Sequence, residues 1–327
     1  MKRTSLILAA FGLALAGSAV AQEQYPSKPI RAIVPYAPGG AVDIVTRIVT
    51  EHMRQSLGQP FVIENKPGAF GIIAMEEVAR AKPDGYTLQF GNVNTNGITP
   101  VLFAKKMSFN YEKDLMPVAR IADVPAFLIA TTKDFPPKDF KEFFEYAKKN
   151  PGKVRYSSVG VGSFPHFDME IFGRRAGLEF NHIPNKAGAA GSLKDLASGD
   201  AHVGFVNLAT TGAMVKAGTL RPLAIITEQR QPEYPDIPTM AELGYPNIGT
   251  LQWLAVFAPA GTPNEVVEKL HKAVVDAVNS PGVQEAFKKQ VIRPLPSKSP
   301  ADAKQWLQSE LAAWRKTADE VKVDLAD

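Results

Sequence analysis

The sequence predicts an α/β fold in two lobes, each a mainly parallel sheet flanked by helices, joined by hinge strands. Three observations point there. Strand-like and helix-like runs alternate along nearly the whole chain. Glycine-rich and small-residue loops sit where strands pass into helices. No low-complexity linker divides the 327 residues, a length that accommodates about two domains.

The elements follow in order. Pro29 to Tyr36 is a short β-rich run, and Val45, Ile48, Val49 and Met53 form a helical stripe within 41–57. Strands are expected at 61–64 and 86–90, with a helix at 72–81 between them, closed by Pro83-Asp84-Gly85. This β-α-β-α-β order implies parallel pairing. The pattern recurs, with strands at 126–131, 154–157, 179–183, 202–206 and 223–226 and helices at 138–149, 166–176 and 192–197. A strand at 251–257 and helices at 265–279 and 301–321 complete the chain. Crossings between lobes are expected near Ala122–Pro125 and near Ala224–Thr227. Residues 22–123 and 227–327 then form a discontinuous first lobe, and 124–226 form the second. A cleft above hinge strands is the geometry of a closing trap.

Composition narrows the function classes. Lys2 and Arg3 precede an apolar run from Leu6 to Ala16 and an Ala19-Val20-Ala21 exit, the parts of a cleavable secretory signal over residues 1–21. The run is shorter than the roughly 20 residues needed to span a bilayer. A periplasmic protein starting at Gln22 is expected. There is no Cys, so the fold must hold in an oxidising compartment without disulfides. Removing Lys2 and Arg3 leaves 35 basic against 33 acidic residues, interspersed, with no polybasic block for nucleic acid or membrane. Five His without Cys argue against a metal site, and no cofactor motif is present.

Four loops at expected strand ends share one chemistry, and ligands of open parallel sheets sit beyond such ends. In Pro38-Gly39-Gly40 the glycines allow close backbone approach, and the helix start at Ala41 offers amides to an anion. A packing turn is the competing reading. Asp43 and its i+4 neighbour Arg47 read as a local ion pair. Tyr36 lines the pocket or belongs to the core. The run 91–96 adds neutral donors through Asn92 and Asn94, unless it is an ordinary Asn-rich turn. Tyr156 to Ser163 joins a strand to the helix of His166, forming a nest of hydroxyls and amides with Ser157, Ser163 and Phe164. A triad of Ser157, Ser158 or Ser163 with His166 and Asp168 is disfavoured, because G-x-S-x-G is absent and Asp168 lies two residues from His166. The run 184–191 brings Gly188 and also Lys186, which pairs with a ligand carboxylate or is merely solvated, and Asn207 is expected to complete that wall. Four donor-rich loops, two per lobe, point to an anion held between lobes by charge-assisted hydrogen bonds.

At this point the sequence resembles the periplasmic receptors of tripartite tricarboxylate transporters, the Bug-type solute-binding proteins. The resemblance covers nearly all of the chain after residue 21. It rests on the runs 26–30, 34–40 with Asp43 and Arg47, 57–60, 64–69, 83–88, 150–153, 156–158, 236–239 and 258–263. It implies a type II periplasmic binding protein fold closing like a flytrap and a small carboxylate ligand; a monomer without enzymatic activity or cofactor is expected beside it. It also implies a two-subunit membrane permease as partner. The family's carboxylate grip maps onto Gly39, Gly40, Ser157, Ser163 and His166. Two departures, Val206-Asn207 and Phe164-Pro165, remove polarity and suggest a ligand with an apolar or aromatic body and no ammonium group. Rival readings are a carboxylate-sensing receptor for a membrane sensor kinase and an exported Ser/His hydrolase.

Overall fold

A computed structural model describes residues 25–185, 188–246 and 248–321; the expected signal segment lies outside them. The first half runs β1 (Ile30–Val34), α1 (Ala41–Leu57), β2 (Phe61–Asn65), α2 (Ile72–Ala79) and β3 (Thr87–Asn92). β1 pairs in parallel with both β2 and β3. In α1, Val42, Val45, Val49, Met53 and Leu57 are buried, and Gly58 at φ 73° ends the helix.

After β3 a wide helical turn (Val93–Ile98) leads into α3 (Thr99–Leu102), α4 (Tyr111–Asp114) and β4 (Leu115–Val124). The expected Asn-rich loop at 91–96 is therefore the end of a strand and a helical turn. Asn92 makes it so: its side chain accepts the Thr95 N–H while Thr95 Oγ1 accepts the Asn92 N–H.

Pro125 alone separates β4 from β5 (Ala126–Thr131), and the second sheet is then built from α5 (Phe140–Lys149), β6 (Val154–Ser158), α6 (Phe164–Ala176), β7 (Phe180–Pro184), α7 (Gly188–Ser198), β8 (Val203–Asn207), α8 (Leu208–Lys216) and β9 (Leu220–Ile225). The helix expected from Ser192 starts earlier, at Gly188, so part of the run read as a loop is helix. The chain returns through β10 (Gln252–Pro259), α9 (Asn264–Asn279), α10 (Pro281–Lys289), β11 (Arg293–Pro294) and α11 (Pro300–Val321).

The α/β class expected from the sequence holds, but the sheets, expected to be mainly parallel, are mixed, of order β11-β4-β10-β3-β1-β2 and β7-β6-β8-β5-β9, because β10 and β5 enter each one antiparallel. Each keeps a parallel trio, β2-β1-β3 and β7-β6-β8. β4 escapes sequence reading for a physical reason. It is buried on both faces apart from Met116 and Arg120, so it shows no alternation, and Pro117 argues against a strand. A register shift between Val256 and Phe257 of the partner strand accommodates that proline. α8 and α10 were not expected from the sequence, although Ser280 caps α10 and Pro281 opens it.

One apolar core lies between α1, α9 and the first sheet, with Val45, Val49, Leu270 and Val274 among its members. A second core runs through the junction of the two sheets, from Ile33, Val93 and Trp253 to Phe164, Phe167 and Phe172. The halves therefore share interior.

Candidate ligand-binding site

The parallel strands β1, β2 and β3 all end on one edge of the first sheet, and β6 and β8 end on one edge of the second. At the end of β1, Gly39 takes φ 86°, which an L side chain rarely adopts. Its N–H donates to Asp43 Oδ2 at 2.9 Å. That amide, expected to be open to a guest, is thus engaged within its own turn. The same carboxylate accepts from Arg47 and from Asn65 Nδ2, each at 3.0 Å. Burial works against its charge, but the bonds from Arg47, Gly39 and Asn65 outweigh it and hold the carboxyl below the usual aspartate range. Asp43 is structural. What the loop offers is the start of α1, where Gly40 provides no side-chain cap and Ala41 is buried.

Tyr36 is half-buried and donates its hydroxyl to Asn92 Oδ1 at 2.8 Å; burial pushes its pKa up. Asn92 is buried and its side-chain oxygen is shared with the Thr95 N–H, so it frames the site from beneath. Asn94 behaves differently. Its Oδ1 accepts the Phe164 N–H at 2.9 Å, crossing from the first sheet's half to the start of α6 in the second. The loop after β3 and the helix after β6 therefore face each other in contact.

On the second wall the strand period of two decides where the serines point. Ser157 is fully buried and its hydroxyl reaches Asp195 Oδ2 in α7 at 3.3 Å, away from the role expected of it. Ser158, on the opposite face, meets His182 Nε2 at 2.7 Å and the Gly160 N–H at 3.1 Å. Ser163 Oγ donates to the Gly160 carbonyl at 2.6 Å. His166 Nδ1 accepts the Gly162 N–H at 3.1 Å, which assigns the proton of the neutral ring to Nε2. The His166 and His182 rings stack at 4.3 Å. Burial lowers both pKa values, that of His182 to about 4 with His166 contributing, so this wall carries neutral imidazoles at neutral pH.

Phe164 is expected from the sequence to line the pocket, yet its side chain is buried in the shared core. Gly188 opens α7 with its N–H on the Asn185 carbonyl at 3.2 Å. Lys186 lies outside the described residues. Asn207 sits beside the crossing: Leu208 N–H donates to the Pro125 carbonyl at 2.9 Å, and Asn207 Nδ2 donates to Gln252 Oε1. Its own Oδ1 is buried without a partner among the described residues.

Two features were missed. Gly68, Ala69, Phe70 and Gly71 all have positive φ, with Ala69 at 45° and Phe70 at 57°. Left-handed backbone costs an L residue about 1–2 kcal/mol, so something must hold this turn. The flanking glycines were its only signal. The second is Asp168, fully buried, which accepts the Thr250 N–H at 2.8 Å and the Thr250 hydroxyl at 2.7 Å. Desolvation raises its pKa to about 7. Asp168 thus ties α6 to the segment entering β10. No Ser–His–Asp chain forms, since Asp168 bonds Thr250 while His166 bonds Gly162. Among the described residues no cluster of His, Cys, Asp or Glu is suited to a metal ion, and no helix is long and apolar enough to cross a membrane.

Comparison with known proteins gives a consistent picture. Residues 45–323 match the profile described as tripartite tricarboxylate transporter family receptor. Protein BugT of Bordetella pertussis is 32% identical over 94% of this chain and 95% of its own length. The solved structure of R. palustris Rpa4515 with adipate is 32% identical with a TM-score of 0.85, covering 91% of this chain and 99% of that one. MatC of Rhodopseudomonas palustris with bound malate is 31% identical with a TM-score of 0.80, covering 90% and 99% respectively.

Proposed function

This chain belongs to the tripartite tricarboxylate transporter receptor family, a family of solute-binding receptors and not of enzymes, and we propose that it captures a small carboxylate in the periplasm and hands it to a membrane permease. The Asn94–Phe164 contact carries the reading. It sets the start of α6 against the loop of the opposite half, where the uncapped first amides of α1 and the Nε2–H of His166 are donors suited to a carboxylate without an Arg clamp. Adipate in Rpa4515 and malate in MatC support the same ligand class.

In this reading residues 22–123 with 227–327 and residues 124–226 are the two lobes. They close about the Pro125 crossing and the return segment after β9. The first lobe contributes Tyr36, Gly40, Ala41 and Asn94, and the second Ser163, His166 and the Val161 amide, the neighbouring Gly160 and Gly162 amides being held by Ser158 and His166. Ser157 and Asn92 act by supporting these loops. Export rests on the signal over residues 1–21, and the receptor works as a monomer.

A thermal-shift panel of mono-, di- and tricarboxylates tests the proposal. A ligand at about 100 times its dissociation constant adds roughly 2.7 kcal/mol to stability, so a true ligand shifts the melt by several degrees. A panel without any shift at millimolar concentration refutes carboxylate capture. Uptake of the hit by a strain deleted for the receptor tests the permease partnership.

A further inference from the structure

We propose that Phe70 is the specificity residue of the cleft, and that the captured carboxylate carries a flat apolar ring that stacks on it. The proposal rests on the carboxylate-receptor reading and deepens it. Phe70 projects from the left-handed turn 68–71, which is closed by the Gly71 N–H on the Gly68 carbonyl at 2.9 Å. Thr99 Oγ1 donates to the Phe70 carbonyl at 2.9 Å. Gly71 leaves no room for change, since a Cβ there would lie 2.4 Å from Thr95 Cγ2. The turn is therefore held in a conformation that L residues avoid.

The ring it holds is not part of the core. Phe70 is 46% exposed, although it stacks on buried Phe103 at 4.4 Å with planes 7° apart. One face is braced and much of the rest is open. The ring also reaches the other wall: a Cβ built on Gly160 would sit 3.8 Å from Phe70 Cε1. Phe70 thus stands between the edge of the first sheet and the Ser/Gly loop before α6, where the body of a gripped carboxylate must lie. Phe164, the aromatic residue the sequence placed at the pocket, is buried and has no face to present. Strained backbone that presents an exposed ring at a ligand clamp is the pattern expected of a recognition element. Offset stacking on a braced phenyl favours a planar ring over a flexible chain.

Calorimetric titration of the purified protein with benzene-1,4-dicarboxylate and hexanedioate, whose carboxylates have similar spans, reads the ratio of the two dissociation constants. The ring diacid is expected to bind about tenfold tighter. Phe70→Gly suits the left-handed backbone, and Phe70→Leu keeps bulk without a flat face. Both are expected to move the ratio toward one, with thermal melts reporting that each variant is folded. A native preference for the chain diacid, or a ratio that neither substitution shifts beyond about twofold, overturns the role of Phe70 and leaves carboxylate capture standing. Failure of the native protein to bind any carboxylate of the thermal-shift panel overturns capture itself, and this inference with it.

Discussion

The starts of α1 and α6 are finished in opposite ways. At α1 the turn satisfies itself: the Gly39 amide bonds Asp43, four residues on, and Asp43 holds Arg47 on the next turn. At α6 the first amide is met by Asn94, seventy residues earlier in the chain and on the other sheet's half. Asp168, one turn further, is met by Thr250, eighty-two residues later. The start of α1 is held mainly from within its own turn, with Asn65 of β2 adding a bond to Asp43, whereas the start of α6 is tied to segments seventy and more residues away. Substitutions at the second wall should therefore disturb the whole molecule, and those at the first should stay local.

The largest test is Phe167→Ala. Phe167 is fully buried in the core shared by both sheets, and its ring meets Trp314 of α11 edge-on at 5.8 Å. Truncating such a ring costs about 3–5 kcal/mol. Urea denaturation followed by Trp fluorescence and by far-UV dichroism is expected to give one coincident, weakened transition. Two separated transitions would show that the halves do not depend on each other, and the contrast between the walls would fail.

Two buried aspartates, one per wall, sharpen the contrast because their pKa values move in opposite directions. Asp168 is raised from 3.8 to about 7, so the folded state binds the extra proton, and stability falls as pH rises between those values. The span amounts to roughly 2–4 kcal/mol. Asp168→Asn removes that slope and is expected to be more stable than the native protein at pH 8, losing its advantage near pH 4. Asp43 is lowered instead, so its contribution is present above pH 3.8 and disappears as the carboxyl is protonated in acid. Asp43→Asn is expected to cost about 1–2 kcal/mol at pH 7 and little in strong acid. Unfolding free energies at pH 3, 5 and 8 check both, and parallel pH profiles for the two variants would contradict the assignment.

The same local-versus-distant divide governs what could be read from sequence. Helix α1 was legible to its ends, because its apolar stripe and its Gly58 stop are written within one segment. The Asp43–Arg47 pair was legible for the same reason. Ser157 was not: neighbouring serines look alike in sequence, and only the strand's pairing decides that Ser158 meets His182 while Ser157 turns to Asp195. β4 was hidden by burial on both faces and by a proline accommodated at a bulge of its partner. Phe70 was hidden because the clue lies in backbone angles, and the Asp168–Thr250 tie because nothing in either segment announces the other.

Asn94→Asp is the smallest and most pointed test. In the native chain a neutral side-chain oxygen receives the Phe164 amide at the start of α6. A carboxylate at that position gains from the positive end of the helix, about 0.5–1 kcal/mol, while keeping an acceptor of similar reach. The substituted protein is therefore expected to melt slightly higher without ligand. The same negative charge occupies the field meant for the guest, so carboxylate probes are expected to bind about tenfold more weakly, with less loss at high salt. Higher stability with lower affinity is a signature that simple damage to the fold does not produce. If Asn94→Asp lowers the melting temperature or leaves probe affinity unchanged, the start of α6 is not where the anion is held.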